Sequence, residues 1–467
     1  MKSYIEEILD FYESNREMLL EPKRLEKMKQ CVLDLIGCGI AGAGGRVEAG
    51  GETDDGEPRM DPLWSFANMI SGGKPVCTVW GSPKKYSISA AAFLNGTFAS
   101  RLELDDVTSV GASVHPGASV IPAVMAVAET KALSGKDFLY AVMLGYEVCN
   151  RFGMMATERV RDLGMYGPAF AGTLGAVVAA GAAGKLSGKQ MINSFSIASS
   201  LAPVCPFINF IDGAGVKECY NGWSLFVAMA ALGMTEAGVT GTDRILQGEK
   251  SLETFYRPDR RLPVTGADYA SKTLFKKYAC CRSVHYALTA LEEMMEEQAM
   301  EIDQVQSVRV TTYPYAYQLS SQTVHLNNIS ARLSIPYCMA AMLKMKRLEA
   351  DAFYYKNFND PVLLQLMDRI SVETGGKYGE GPFALRGAKV VIQQKDGNIR
   401  VKETEHTAWG EGREPAWSDL EERFRRITTG KCSRERQNRI IEFVRQMDGE
   451  KDARLLIQMM GAEYGYR

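Results

Sequence analysis

Apolar residues recur at helical spacing through the first half of the chain. Leu25, Met28, Val32, Leu35, Ile36 and Gly39 fall on one face after Pro22, a residue suited to a helix's first turn. A second helix is expected after His115-Pro116, running through PAVMAVAE. Ser134 with Asp137, and Ser187 with Gln190, read as capping boxes opening two more. Tyr166 to Gly184 is uncharged but mostly Gly and Ala, too weakly apolar for a membrane span, which needs about 20 strongly apolar residues. It reads as a buried helix whose small residues allow close packing. Residues 45–62, rich in Gly, Glu and Asp, read as a loop, and no strand-like alternation stands out before about residue 300.

The pattern then changes. VQSVRVTTY (305–313) alternates and is β-branched, and AKVVIQQKDGNIRVKE holds two extended runs joined at Asp396-Gly397, a hairpin signal. Helices lie between, notably SIPYCMAAMLKM (334–345), and from Trp417 the chain is helical again. The fold expected is mainly α: a large helical domain from residues 1–267 and 413–467, with a smaller α+β domain at 268–412.

Composition narrows the function. Hydrophobic residues make up 46% of the 467, enough for a sizeable core, and 54 basic against 56 acidic residues leave a net charge of -2. That balance carries no footprint for nucleic acid or an anionic membrane. The N-terminus, MKSYIEEILDFYESN, is acidic and amphipathic, unlike a signal peptide. Ten scattered cysteines without a C-x-x-C pair fit a reducing cytoplasm. Four histidines (His115, His285, His325 and His406), with no H-E-x-x-H, predict no metal site. GAAGKLSG lacks the Ser or Thr after Lys185 that a phosphate loop needs, and the Gly-rich stretches follow no predicted strand.

Three strings carry candidate chemistry. NGTFASRLELDDVTSVGASVHPG (95–117) packs Arg101, Glu103, Asp105, Asp106 and His115 between two apolar segments. It is either a solvated loop with a helix cap or a set of ionisable groups that must pair to be buried. In GAGVKECYNGW (213–223), Lys217 stands in an apolar, Gly-rich neighbourhood, either snorkelling or placed to bind a carboxylate or move a proton. KKYACCRSVHYALTALEEM (276–294) offers Arg282 and Lys277 as anion binders and His285 at the head of an amphipathic helix, where a lone His is usually a core residue. Packing is the expected role of Cys280 and Cys281.

Taken in order, DLIGCGIAGAG, AAFLNGT, LDD, HPG, GYEVCNRFG, GTLGAVVAAGAAGKLSG, KKYACCRSVHYALTAL, LSIPYCMAAML and PAWSDLEERF resemble the MmgE/PrpD family across most of the chain. The resemblance implies a helical domain with an α+β lid, a homodimer, no cofactor, and a site between domains. Its catalytic groups fall on His115, Lys217 and His285. There are departures. The first acid of the usual D-x-D-D run is Glu103, Val107 replaces a Thr, Tyr166 stands where the family has a His before GTLG, and Ser100 stands where dehydratases often have another.

The shared chemistry is proton transfer at carbon α to a carboxylate, which needs a cationic setting, a base and an acid. The expectation is a hydro-lyase acting on a small anionic di- or tricarboxylate. Lys217 with Arg101 or Arg282 would hold carboxylates, Glu103 would border the substrate, His115 and His285 would serve as acid and base, Tyr166 would donate, and Asp105 or Asp106 would orient. Epimerisation, which needs only two acid/base groups, and metabolite binding without catalysis are the alternatives.

Overall fold

The computed structural model describes residues 2–43, 61–108, 114–256, 262–265, 268–323, 327–358, 360–379 and 385–461. Most of the loop expected at 45–62, and His325, lie outside them. The fold is mainly helical, with small sheets. Helices α1 (Tyr4–Ser14), α2 (Pro22–Ala43), α3 (Ile88–Ser100), α4 (Pro116–Thr130), α5 (Gly135–Asp162), α6 (Gly167–Ala183), α7 (Gly188–Leu201) and α8 (Tyr220–Glu236) make up most of the larger core.

Local sequence explains their ends. Pro22 opens α2, and Ser187 and Gln190 form the full capping box of α7. Ser134 caps α5 by accepting from the Asp137 N–H at 3.0 Å. The Gly/Ala run is α6, buried along almost its whole length. A Cβ on its Gly175 would come within 2.7 Å of the Gly145 carbonyl of α5, so the missing side chain is what lets these helices approach. Among the described residues no helix is long and apolar enough to cross a membrane.

The smaller core holds α9 (His285–Glu297), α10 (Ile335–Met345) and a four-stranded sheet. Strands β3 (Val305–Thr312), β4 (Ile370–Thr374), β5 (Ala388–Gln394) and β6 (Ile399–Thr404) lie in the order β4-β3-β5-β6, with β3 and β4 parallel and the other pairs antiparallel. Gly397 at φ +86° turns the β5–β6 hairpin where Asp396-Gly397 predicts it. Strand β4 is absent from the sequence reading: its alternation, Ile370-Ser371-Val372-Glu373, covers a single short run in which only Ile370 is buried, too brief to stand out. Strands before residue 300 also exist, as two-residue pairings too short to alternate. One of them, β1 (Val107–Thr108) with β2 (Thr273–Leu274), stitches the acidic loop to the segment leading into the smaller core.

The chain returns to the larger core through α11 (Trp417–Ile427) and α12 (Arg434–Arg445). The larger core draws on residues up to Phe275 and again from Leu420. The smaller draws on Tyr278–Ile392 and on Cys38, Ala41, Leu102 and Leu104 from the helical side. Those last four mark where the two cores meet, next to the acidic loop.

Candidate active site

After α3 the chain turns at Glu103, whose φ of +53° is left-handed, a conformation that costs a side-chain-bearing residue about 1–3 kcal/mol. Buried cations hold the turn. Arg332 donates to the Leu102 carbonyl at 2.8 Å, and Lys276 donates to the Glu103 carbonyl at 3.1 Å. Further along, His115 Nδ1 lies 2.7 Å from the Asp106 carbonyl and 3.4 Å from Asp105 Oδ2. Asp106 turns its carboxylate to the start of α4, accepting from the Gly117 N–H at 2.9 Å and from the Tyr146 hydroxyl at 2.6 Å. A Cβ on Gly117 would sit 2.8 Å from both partners, so this position needs glycine.

A cavity of about 350 Å³ opens where the cores meet. From the helical side come Glu103, His115, Arg161, Tyr166 and Phe210. From the other side come Cys281, Arg282, Tyr286, Tyr313, Tyr315 and Arg386. Its charge is one-sided. Glu103 is an acid in the wall, and both Lys217, in contact with it, and Lys276, 3.3 Å from its Oε2, neutralise it. Against it stand three guanidiniums. Arg282 makes no ion pair among the described residues, and its Nη1 is buried without a hydrogen-bond partner. An unpaired buried donor is costly, and a hydrogen-bond acceptor entering the cavity would remove the cost.

Titration follows from burial. His115 is pushed well below the ordinary imidazole range, by burial first and the like charge of Lys276 second. It is therefore neutral. Nδ1–H donates to the Asp106 carbonyl, and Nε2 is the nitrogen left to take a proton. Burial raises the Asp105 carboxyl to about 6 against the pull of Lys276, and the Asp106 carboxyl to about 7 against its bonds from Tyr146 and Gly117. Burial, then Lys276, pushes the Lys217 ammonium down to about 7, while the negative charge of Glu218 pulls it partly back. Lys217 is so placed that it can give up a proton near neutral pH.

Several sequence-predicted residues meet here. Glu103, His115, Tyr166 and Arg282 line the cavity. Lys217 stands directly behind that wall, its Nζ 4.1 Å from the Phe210 ring centroid and 5.8 Å from that of Tyr166. Asp105 and Asp106 back His115 without lining the cavity. Two expectations need correcting. Arg101 is taken by Asp61 at 2.6 Å and Glu218 at 3.1 Å, so its charge is spent on holding α3 and is not offered to a ligand. His285 is fully buried behind the wall, packed 5.0 Å from the Tyr278 ring, with Nε2 3.3 Å from the Cys280 carbonyl and Nδ1 without a partner. Cys281, assigned to packing alone, faces the cavity, and Ser283 donates to its sulfur at 3.3 Å.

The sequence reading missed Lys276, Arg161, Arg332 and Arg386. Lys276 is the centre of the cluster. It is wholly buried, it bonds Glu103, it lies 3.9 Å from Asp105, and its charge is felt at His115, Lys217 and His285. Its neighbour Lys277, the lysine of the pair that the sequence reading named, pairs with Glu292 on α9 at 2.5 Å. Among the described residues no three His, Cys, Asp or Glu side chains converge as metal ligands.

Residues 6–264 match the MmgE/PrpD N-terminal domain, and residues 278–449 match the MmgE/PrpD C-terminal domain. The chain belongs to the MmgE/PrpD family. Its similar MmgE/PrpD relatives include a cis-aconitate decarboxylase-like protein of Aspergillus oryzae, 24% identical over 94% of this chain and 93% of that protein. The cis-aconitate decarboxylase of Homo sapiens is 24% identical over 94% of this chain and 91% of its own, and that of Aspergillus terreus 24% over 93% and 91%. The boundary between the two MmgE/PrpD matches, 265–277, spans the segment that carries β2 and Lys276.

Proposed function

We propose that this chain is a lyase acting at the carbon α to a carboxylate of a small di- or tricarboxylate, and that it removes water. The observation that carries the reading is the neutral His115, with Nδ1 engaged, in the wall of a cavity whose arginines outnumber its acid. Arg282, with Arg161 and Arg386, would hold carboxylates. That setting also stabilises the enolate-like charge once the α proton leaves. His115 Nε2 takes that proton. Binding of an anion raises its proton affinity, which offsets the weakness of a depressed base. Lys217 or Tyr166 supplies a proton to the departing hydroxide. The C–O bond breaks, the double bond forms, and water is the second product.

The names of the relatives favour a second reading, loss of carbon dioxide, in which the cavity would need an acid to protonate the resulting carbanion but no base for a C–H bond. A base kept neutral favours removal of a proton. Incubation with hydroxy- and unsaturated di- and tricarboxylates in deuterated water separates the outcomes. Dehydration gives an unsaturated product and, in reverse, deuterium at carbon α. Decarboxylation releases carbon dioxide, epimerisation exchanges deuterium without losing a group, and a chain that only binds does none of these and would end the proposal.

The ten cysteines are free thiols, which fits the cytoplasm. A homodimer is supported by Leu201, Val204, Ile208 and Val216, apolar side chains exposed close together in sequence beside α8. Light scattering at micromolar concentration should give twice the 51.5 kDa of one chain.

A further inference from the structure

Residues 275–280, which carry Lys276 from the larger core to the smaller, form neither helix nor strand, so their backbone carbonyls have no ladder to satisfy them. Two buried arginines do so instead. Arg332 donates to the Ala279 carbonyl at 3.1 Å. Arg423, at the centre of α11, donates to the Lys276 carbonyl. Arg423 is itself fixed on three sides. Its guanidinium touches the Asp34 carboxylate of α2, approaches Cys38 Sγ at 3.9 Å, and stands 5.1 Å from the Trp409 ring centroid. It is 2% exposed, so its bonds are unscreened by water.

We propose that Arg423 is a positioning residue: braced by Asp34 and Trp409, it grips the Lys276 carbonyl and so sets where the Lys276 ammonium stands against Glu103, Asp105 and His115. It reaches none of the cavity itself. Its fork makes two bonds at once, one to a carboxylate and one to a carbonyl, which a lysine ammonium at the same place cannot reproduce in the same geometry. The return of the chain through α11 therefore contributes to the site, although α11 lies wholly outside the cavity wall.

The inference rests on the site proposed above, but its test does not need turnover. His115 faces Asp105, the Asp106 carbonyl and Lys276. Lys276 faces Glu103 and Asp105, and its charge also reaches Lys217, His285 and the buried thiols Cys38 and Cys280. Lys276 is the charge that most depresses His115, so the His115 titration reports where that ammonium stands. The chain has four histidines, so imidazole resonances can be assigned and followed with pH by NMR.

In the unsubstituted protein His115 should stay neutral down to the lowest pH at which the fold survives. In Arg423→Gln, and to a smaller extent in Arg423→Lys, its midpoint should rise by about one pH unit or more as the ammonium loses its anchor. Lys276→Met calibrates the reporter, since removing the ammonium must raise the midpoint as well. Arg151→Gln removes another fully buried arginine, paired with Glu147 inside the larger core, and controls for lost stability alone. A midpoint that moves in Lys276→Met but not in folded Arg423→Lys or Arg423→Gln overturns the proposal, and so does an equal shift in Arg151→Gln. If no carboxylate is turned over, the functional reading fails while this measurement still decides the role of Arg423.

Discussion

The surroundings of His115 and His285 differ in what the backbone does beside them. His115 immediately precedes α4, its imidazole meets the Asp106 carbonyl and the Asp105 carboxylate, and it opens on a cavity. His285 heads α9, where the helix turns the ring inward against Tyr278, and its Nδ1 finds nothing to bond. Both are pushed below the usual imidazole range by burial, so a depressed titration alone does not distinguish a base from a core residue. Access and an engaged Nδ1 make the distinction.

The comparison breaks most readily at the rings themselves. His115→Gln should lower turnover about a hundredfold or more, as expected for a lost general base, with little change in the binding of an anionic inhibitor. His285→Gln should lower turnover less than about tenfold, and its main effect should appear in thermal denaturation. Equal losses in steady-state kinetics would mean that both histidines act on the substrate. Next in size is Arg282→Gln. Loss of a charge-assisted bond worth about 1.5–3 kcal/mol should raise KM or an inhibitor Kd roughly ten- to a hundredfold, with a smaller change in kcat.

The pH dependence sharpens the contrast further. A base held below the ordinary imidazole range stays unprotonated as pH falls, so the acid limb of kcat/KM should lie below pH 6.5. A limb above 6.5 would indicate that a raised group such as Asp106 must ionise instead.

The smallest expected effect concerns stability. The Asp105 and Asp106 carboxyls are raised in the fold, so from about pH 4 to 7 the folded state holds protons that the unfolded chain has lost. Stability then falls as pH rises through that window. The lowered histidines act oppositely, since below pH 6.5 the unfolded chain binds protons that the fold refuses. Asp106→Asn should remove part of the first trend and leave the second, as seen in urea midpoints taken across pH.

Helices and the hairpin were legible in the sequence because their signals are local: apolar spacing, Ser187 with Gln190, and Asp396-Gly397. Strand β4 was not, since its alternation spans only five residues with one of them buried. In the candidate site, Glu103 and His115 could be named because they crowd a charged string between two apolar segments, and Tyr166 because the family resemblance points to its position. Lys276 and Arg332 could not. Their meaning lies in carbonyls made free by irregular backbone far away in sequence, and nothing in KKYACC or SARL marks those partners. The helical position of His285 read as a core residue, and only the resemblance gave it a catalytic role; position on a helix says which face is apolar, not whether a cavity lies beside it.

The meeting of two cores at one cavity has an evolutionary consequence. The groups proposed above to move protons, His115, Tyr166 and Lys217, lie on the helical side of the cavity, while Arg282, Tyr313, Tyr315 and Arg386 line it from the other side. Drift in the second group can retune which anion is admitted without disturbing the first. A scaffold divided in this way can acquire new substrates by changing its clientele and keeping its tools, and grafting the smaller half of one relative onto the larger half of another is the natural way to watch that happen.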